Sequence, residues 1–526
     1  MFYILNSAFV LLFAVTSLGA TIEARPGSLL VKRKSTSDIN ILSSSHANAH
    51  TTSAKRFNYP AGLELVQVQA GTTTEQALAI YKNDPNIEYA EPNYIVHALG
   101  VPNDPYFKYQ WAHKNSVAGA DINSTQAWDT LTGSNSVVLG IIDTGIDYKH
   151  RDLVKNLWVN SQEIANNGID DDNNGYIDDI YGINAIKGTG DPMDDNLHGT
   201  HVAGIIGAEG NNGIGVSGVM QKTQIIACKF LSADGSGDTA SAITCMDYFV
   251  SLATRSKDPI KVVATNNSWG GGSPSQAFLD AVKEHRKLGI LLVAAASNEG
   301  NNNDTTPAFP SNIALSNVIS VAATDSNNNL ASFSNYGLHS VFVAAPGVNI
   351  LSTIPGQRYS YLSGTSMAAP FVTGLAGYIK ASNPNMDWVS IKNLIIAGGR
   401  PIAAANQTTI SGRLIRMSDT NGQGAVTCNS QTVIARLLPK ANAYTMRLGQ
   451  SLPLSLLKIN CAQSTQVRIS STDVSIQNAG LLNDLGQGND DLAYDGVFKG
   501  AFVPTAAGKY VLAFPNNDNV SVTVTQ

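Results

Sequence analysis

The chain predicts an α/β protein built on a mostly parallel sheet, with a small α+β segment before it and a β-sandwich after it. Three observations lead there. Residues 137–142 and 291–296 are continuous apolar runs of the kind found in strands buried on both faces, and 262–267 reads as another strand, apolar at its start. Stretches that read as helices, such as 200–208 and 390–397, are interleaved with these runs, as in a parallel sheet with helical crossovers. Beyond about residue 418 the pattern changes to short, partly apolar strands separated by Asn, Asp and Gly turns, the spacing of a sandwich.

The elements follow in chain order. Residues 2–20 form an apolar run bounded by small residues, which reads as a secretory signal cleaved near Ala20 or Ala24; an uncleaved anchor is the alternative. Residues 43–53 are rich in Ser, His and Asn and read as loop. Residues 63–68 alternate and read as a strand, 73–82 as a helix capped by Thr73 or Thr74, and 87–94 as a further strand. In the large segment, residues 225–231 add another strand. The last segment offers strands at 454–457, 467–469, 474–476, 497–502, 510–514 and 520–524. There, Asp484, Asp490 and Asp495 read as turn residues, with a metal set as the alternative.

Composition bounds the function. At 526 residues the chain exceeds one core, and two or three domains are expected. Charged residues are only 14%, which argues against disorder. A net charge of −6 gives no basic surface for nucleic acid. Four cysteines allow three pairings; the one that respects domains joins Cys228 to Cys245 and Cys428 to Cys461, and free buried cysteines are the alternative for a cytosolic chain.

Three distant segments carry complementary chemistry. The run 137–142 ends in Asp143-Thr144-Gly145, and functional groups gather at such carboxyl ends of parallel strands. His198-Gly199-Thr200-His201 opens a predicted helix, and Gly364-Thr365-Ser366-Met367-Ala368-Ala369-Pro370 opens another. A serine hydroxyl needs a base to take its proton, and the base needs a carboxylate to hold its tautomer. Taken singly, Asp143 is a turn or N-cap residue, His198 and His201 are core histidines or a metal pair lacking a third ligand, and Ser366 is an N-cap. Taken together they supply carboxylate, base and nucleophile in the order Asp, His, Ser. From about Asp104 to about Ile402 the chain resembles the subtilisin-like serine proteases, or subtilases.

The resemblance implies a three-layer αβα peptidase domain at 101–415, after a signal at 1–24 and an inhibitor-like propeptide at 25–100, with the sandwich at 418–526. It makes Asp143, His198 and Ser366 the catalytic residues and His201 a packed helix residue. The oxyanion donors are the Asn298 amide and the Ser366 backbone N–H at a helix start. Ser268, Trp269 and Gly270 are implied as an edge for the substrate backbone, with Ala296 and Ser297 walling the neighbouring pocket. Trp269 as a core residue is the alternative. The family usually has Gly at the place of Ser297. The segment Ile87-Glu88-Tyr89-Ala90-Glu91-Pro92-Asn93 resembles the end of a subtilase propeptide, and residues 94–99 would follow it into the cleft and be cut there.

Calcium is the expected cofactor. Asp170, Asp172, Asn174, Gly175 and the Tyr176 carbonyl follow the first half of an EF-hand loop; Tyr181 stands where the usual Glu would, and Asp178 or Asp179 takes its place. A solvated acidic turn is the alternative. By resemblance alone, Asp104, Asp152, Asn212 and the carbonyls of Ile214 and Val216 form a second site. The expectation is a secreted, monomeric serine endopeptidase made as a self-processing zymogen. It acts on proteins or peptides, is inhibited by its own propeptide, and has no membrane attachment after signal cleavage. An inactive surface or adhesion protein carried by the C-terminal segment is the competing class, and a metal-dependent hydrolase a third.

Overall fold

The computed structural model describes residues 24–34, 41–94, 101–117, 119–418, 432–460 and 474–526. The chain divides into two units, 1–98 and 99–526. Most of the expected signal, residues 95–99 of the tail expected to be cut (94–99), the strand expected at 467–469, Cys428 and Cys461 all lie outside the described residues.

In the first unit, β1 (Ala24–Arg33), β2 (Thr51–Arg56), β3 (Leu63–Val68) and β4 (Ile87–Tyr94) pair antiparallel in the order β2-β3-β1-β4. Helices α1 (Ile41–Asn48) and α2 (Thr74–Lys82) share its small core with Leu29, Val31 and Val66. Thr73 and Gln76 form a reciprocal capping box at the start of α2. The stretch 43–53, expected as loop, instead supplies most of α1 and the start of β2. Its polar residues are buried by pairing rather than by apolarity. His46 meets the Tyr81 hydroxyl at 2.7 Å and Glu64 at 3.2 Å, and Ser45 donates to Asp84.

The second unit begins with α3 (Ser124–Trp128) and β5 (Gly133–Asp143). Then come β6 (Gly182–Asn184), β7 (Lys222–Lys229), β8 (Val262–Asn267), β9 (Leu291–Ala295), β10 (Val318–Thr324) and β11 (Val343–Pro346). A hairpin, β12 (Ile350–Ile354) and β13 (Arg358–Leu362), stands apart. With β14 (Arg400–Pro401) and β15 (Arg413–Leu414) the main sheet runs β14-β15-β11-β10-β9-β8-β5-β7-β6. Among the described residues, its pairs are parallel except at the β14–β15 edge.

Both faces of this sheet are covered, which is why its strands are apolar throughout rather than alternating. Val137, Leu139 and Ile141 of β5 face α4 (His198–Gly207) and α7 (Thr365–Ser382), meeting Val202, Ile206, Phe371 and Leu375. Val138 and Ile142 face the other way, toward Phe249 of α5 (Thr239–Thr254) and Val282 of α6 (Gln276–Lys287). The result is the three-layer αβα arrangement. A disulfide joins Cys228 of β7 to Cys245 of α5, with Cα atoms 5.7 Å apart. Helix α8 (Trp388–Gly398) packs beside α7.

Toward the C-terminus, β16 (Thr432–Leu438), β17 (Ala443–Arg447), β18 (Leu452–Asn460), β19 (Val474–Ile476), β20 (Gly480–Leu482), β21 (Val497–Phe502), β22 (Gly508–Ala513) and β23 (Asn519–Thr525) form two three-stranded sheets and a hairpin. The sheets β16-β18-β21 and β17-β23-β22 enclose one core of Leu454, Leu456, Phe498, Leu512 and Val522. The opposite face of the first sheet, through Val433, Leu457 and Ile459, joins the same apolar cluster as α7 and α8. These strands therefore rest on the parallel-sheet layer instead of hanging from it. Among the described residues, no helix is long and apolar enough to cross a membrane.

Candidate active site

The parallel sheet brings its carboxyl ends to one edge, and the site is assembled there. Asp143 ends β5, Ser268 follows β8 and Asn298 lies three residues past β9. His198 and Ser366 arrive from the opposite direction, at the first turns of α4 and α7. Glycine makes one approach possible. A Cβ on Gly199 would lie 2.1 Å from the Gly145 carbonyl, so the start of α4 touches the turn after β5 directly.

Asp143 is fully buried, and its Oδ1 accepts from His198 Nδ1 at 2.8 Å and from the Thr144 N–H at 2.7 Å. The His198 ring is one-quarter open to solvent. Burial pushes its pKa down, but the charge and hydrogen bond of Asp143, with Asp194 further off, outweigh burial and hold it above the ordinary value. Asp194 was not anticipated. It accepts from the hydroxyls of Thr144 and Thr200 and from the Thr200 N–H, while the Thr144 hydroxyl in turn accepts from Gly199. This buried network sets the distance between the end of β5 and the start of α4. His201 faces away from the site; Nε2 lies 3.0 Å from the Ile350 carbonyl and 3.1 Å from that of Ser360, and burial lowers its pKa to about 3. It is a neutral packing residue, and the metal-pair reading finds no support.

The Ser366 hydroxyl donates to the Ser268 carbonyl at 3.0 Å, and no hydrogen bond joins it to His198. In return the Ser268 hydroxyl donates to the Ser366 carbonyl at 2.7 Å. The nucleophile candidate is thus held against the end of β8; catalytic bonds to a base commonly form or tighten only with substrate bound. The amide of Asn298 is oriented by a residue that the sequence did not single out. Its Oδ1 accepts from the Thr365 N–H at 2.8 Å and hydroxyl at 2.9 Å, which leaves Nδ2 as the free donor beside the Ser366 N–H. Adjacent Ser297 has φ of +88°, a backbone conformation suited to glycine, and the Thr365 hydroxyl accepts from its N–H.

Of the other expected substrate contacts, Trp269 and Gly270 line a cavity of about 610 Å³ with Phe230, Leu231, Phe278 and Ile313. The Trp269 ring lies 4.8 Å from that of Phe230 and 5.6 Å from that of Phe278, so it is a wall packed on its own support. Ser297 Oγ lies beside Gly270, 2.9 Å from where a Cβ would stand. Ala296 is fully buried against Ala322 and Val341, with its N–H on Val321 and its carbonyl on Asn303, so it lies behind the pocket.

The acidic loop is arranged differently from an EF-hand. Asp170 accepts from the N–H groups of Asn174 and Gly175, and Asp178 from those of Asn167 and Gly168, so both close turns. Asn174 donates its amide to Asp179, and its Oδ1 accepts from Tyr176. Asp172 and Asp179 turn inward, and Glu163, from before the loop, joins them; oxygens of the three lie within 4.8 Å of one another. Nearby donors are Asn160 to both aspartates, the Tyr248 hydroxyl to Asp179 and the N–H groups of Asp171, Asp172 and Asp178 to Glu163, and Arg255 pairs with Asp172 at 3.6 Å. Elsewhere, Asn212 bridges the other expected ligands. Its N–H donates to Asp104 and its amide donates to Asp152 at 2.7 Å; Asp152 also accepts from the Val216 N–H, and Asn212 Oδ1 from that of Ile214. Burial raises the Asp152 carboxyl to about 6.

A family model described as the subtilase family matches residues 134–424, and one described as the fervidolysin N-terminal prodomain matches residues 15–93. The thermophilic serine proteinase of Bacillus sp. (strain AK1) is 39% identical over 312 residues, covering 59% of this chain and 67% of that protein. Subtilisin-like protease 1 of Plasmodium vivax is 35% identical over 320 residues, covering 57% and 50%. An extracellular protease of Xanthomonas campestris is 35% identical over 343 residues, covering 61% and 57%. The chain thus spans between half and two thirds of the length of these relatives. Among solved structures, a protease of Pseudoalteromonas arctica aligns with a TM-score of 0.50 and 29% identity, covering 60% of this chain and 97% of that one. With a family match over more than half its length and a prodomain match before it, the chain belongs to the subtilase family of serine proteases.

Proposed function

We propose that the protein is a secreted serine endopeptidase, made as a zymogen that cuts itself. The observation that carries this reading is the couple of buried Asp143 and partly open His198 at 2.8 Å, on the sheet edge that also bears Ser366 and the oriented Asn298 amide. In the mechanism this supports, the Ser366 hydroxyl rotates from the Ser268 carbonyl to His198 Nε2. His198 takes its proton as Oγ bonds to the scissile carbonyl carbon. The Ser366 N–H and Asn298 Nδ2 hold the oxyanion. The imidazolium, steadied by Asp143, then protonates the leaving amine as the C–N bond breaks. Water activated by His198 releases the acyl group and restores Ser366.

The same centre would cut the chain after its prodomain, which would inhibit it until removed. Secretion is supported by relatives named extracellular proteases. Calcium would be held by Glu163, Asp172 and Asp179, whose inward oxygens fit one cation, and by the Asp104, Asp152 and Asn212 group; its role there is structural. A fluorophosphonate probe tests the reading. Mature wild-type protein should carry the label on Ser366 by peptide mapping, and Ser366→Ala should carry none and remain uncut. Absence of label from the mature protein would favour an inactive binding protein.

A further inference from the structure

The loop between β20 and β21 carries a second buried acidic group. Asp484, Asp490 and Asp495 are 2%, 3% and 0% exposed, and each offers a carboxylate oxygen within 4.8 Å of the other two. Their sequence context reads as turn residues, but the fold turns all three inward.

The donors around them are incomplete. Asp484 accepts from the N–H groups of Asp495 and Gly496. Asp490 accepts from the Gly486 N–H and Asp495 from the Val497 N–H. Asp490 Oδ1 and Asp495 Oδ2 are buried and have no hydrogen-bond partner. The cations nearby do not fill the gap. The buried Lys392 ammonium, on α8, donates to the Asp495 backbone carbonyl at 3.1 Å and not to a carboxylate. Arg286 and Lys499 both pair with Asp491. Carboxylates are buried in proteins where they are paired or bind a metal, and here two buried carboxylate oxygens of the group have no hydrogen-bond partner.

We propose that Asp484, Asp490 and Asp495 hold a calcium ion that fastens the C-terminal sandwich to helix α8. An all-carboxylate set selects a hard cation over zinc or copper. Oxygens bound to one calcium at about 2.4 Å lie at most about 4.8 Å apart, and the three oxygens here all lie within that limit of one another. Calcium also tolerates an irregular shell completed by water, whereas magnesium demands an octahedron. Charge agrees: one divalent ion and the Lys392 ammonium balance three carboxylates. Because Lys392 bonds the backbone of Asp495, an ordered loop is tied to α8, which packs on the Ser366 helix.

The test uses the full-length chain carrying Ser366→Ala, so that autolysis does not intervene; the proposal does not depend on the catalytic reading. Bound calcium is counted after equilibrium dialysis, and amide exchange is followed over residues 483–499 with calcium, with magnesium at the same concentration, or with chelator. Addition of Asp490→Asn and Asp495→Asn should remove one calcium per chain, while Glu163→Gln should leave the 483–499 loop's response intact. In the parent, calcium but not magnesium should slow exchange at Asp495, Gly496 and Val497 by about tenfold or more. An unchanged calcium count in the folded double variant would overturn the proposal. If that variant does not fold, the parent's exchange decides: loop amides indifferent to calcium, or protected equally by magnesium, would overturn it.

Discussion

Replacing Asp143 with asparagine should remove a charge from the site while leaving its geometry in place. Asp143 Oδ1 faces two N–H donors, from His198 and Thr144, whereas Oδ2 is buried without a partner. The amide oxygen of the substituted side chain therefore takes the Oδ1 position, and His198 keeps both its tautomer and its orientation. What is lost is the counter-charge for the imidazolium. With charge centres about 4 Å apart and an effective dielectric of about 20, that is about 4 kcal/mol, or roughly a thousand-fold in rate. The buried amide NH₂ left without an acceptor costs a further ~1–3 kcal/mol of fold stability.

The pH profile supplies the sharper readout. In the wild type the Asp143 carboxylate outweighs burial and raises the His198 pKa above its ordinary value of 6.5. Without that charge burial prevails, and the acid limb of kcat/KM should move from above 6.5 to below it. The linkage runs the other way for stability. A raised histidine pKa stabilises the fold below the ordinary value, and this contribution fades as pH rises through the raised one. The assay is peptide hydrolysis across pH by protein matured with an added protease. An acid limb that stays in place, or a loss below tenfold, would refute the assignment of Asp143 and His198 as a couple.

Three further outcomes are expected. Asn298→Ala should lower kcat by roughly a hundred- to a thousand-fold with little change in KM, because the amide that Thr365 orients bonds the oxyanion more strongly than the ground-state carbonyl; a change confined to KM would make Asn298 a ground-state binding residue. Ser297→Gly should relieve the strain of φ +88°, raising stability by about 1 kcal/mol, and should widen acceptance of bulky residues before the scissile bond; thermal melts and a peptide library check both, and a variant indistinguishable in each removes Ser297 from the pocket. Chelation should lower the melting temperature of the Ser366→Ala protein, since calcium at a hundred times its dissociation constant stabilises by about 2.7 kcal/mol; Glu163→Gln should remove part of that response, and equal melts with calcium and chelator would refute the calcium reading of the 163–179 loop.

What could be read from sequence was what leaves a local signature. The apolar runs marked β5, β8 and β9 within a residue or a few, because strands covered on both faces admit few polar residues. The start of α2 was legible to within a residue from Thr73 or Thr74, since a cap lies within one turn of the helix it serves, and the structure selects Thr73 and adds Gln76 as its reciprocal partner. Asp143, His198 and Ser366 were singled out because each sits at the end of such a run or the start of such a helix, and Asn298 through the resemblance to the subtilases. Tertiary structure alone decided which polar groups meet. Asp194 lies fifty residues from Thr144, and nothing local marks it as the link between β5 and α4. Helix α1 escaped a reading based on apolarity because His46 and Ser45 are buried by pairing with Tyr81, Glu64 and Asp84. In the acidic loop, sequence named Asp170 and Asp178, but the fold uses them to close turns and brings Glu163 inward instead. Asp484, Asp490 and Asp495 carry the same lesson. Apolar burial is encoded in composition over a short window, whereas a buried polar group is defined by a partner that only the folded chain can bring to it.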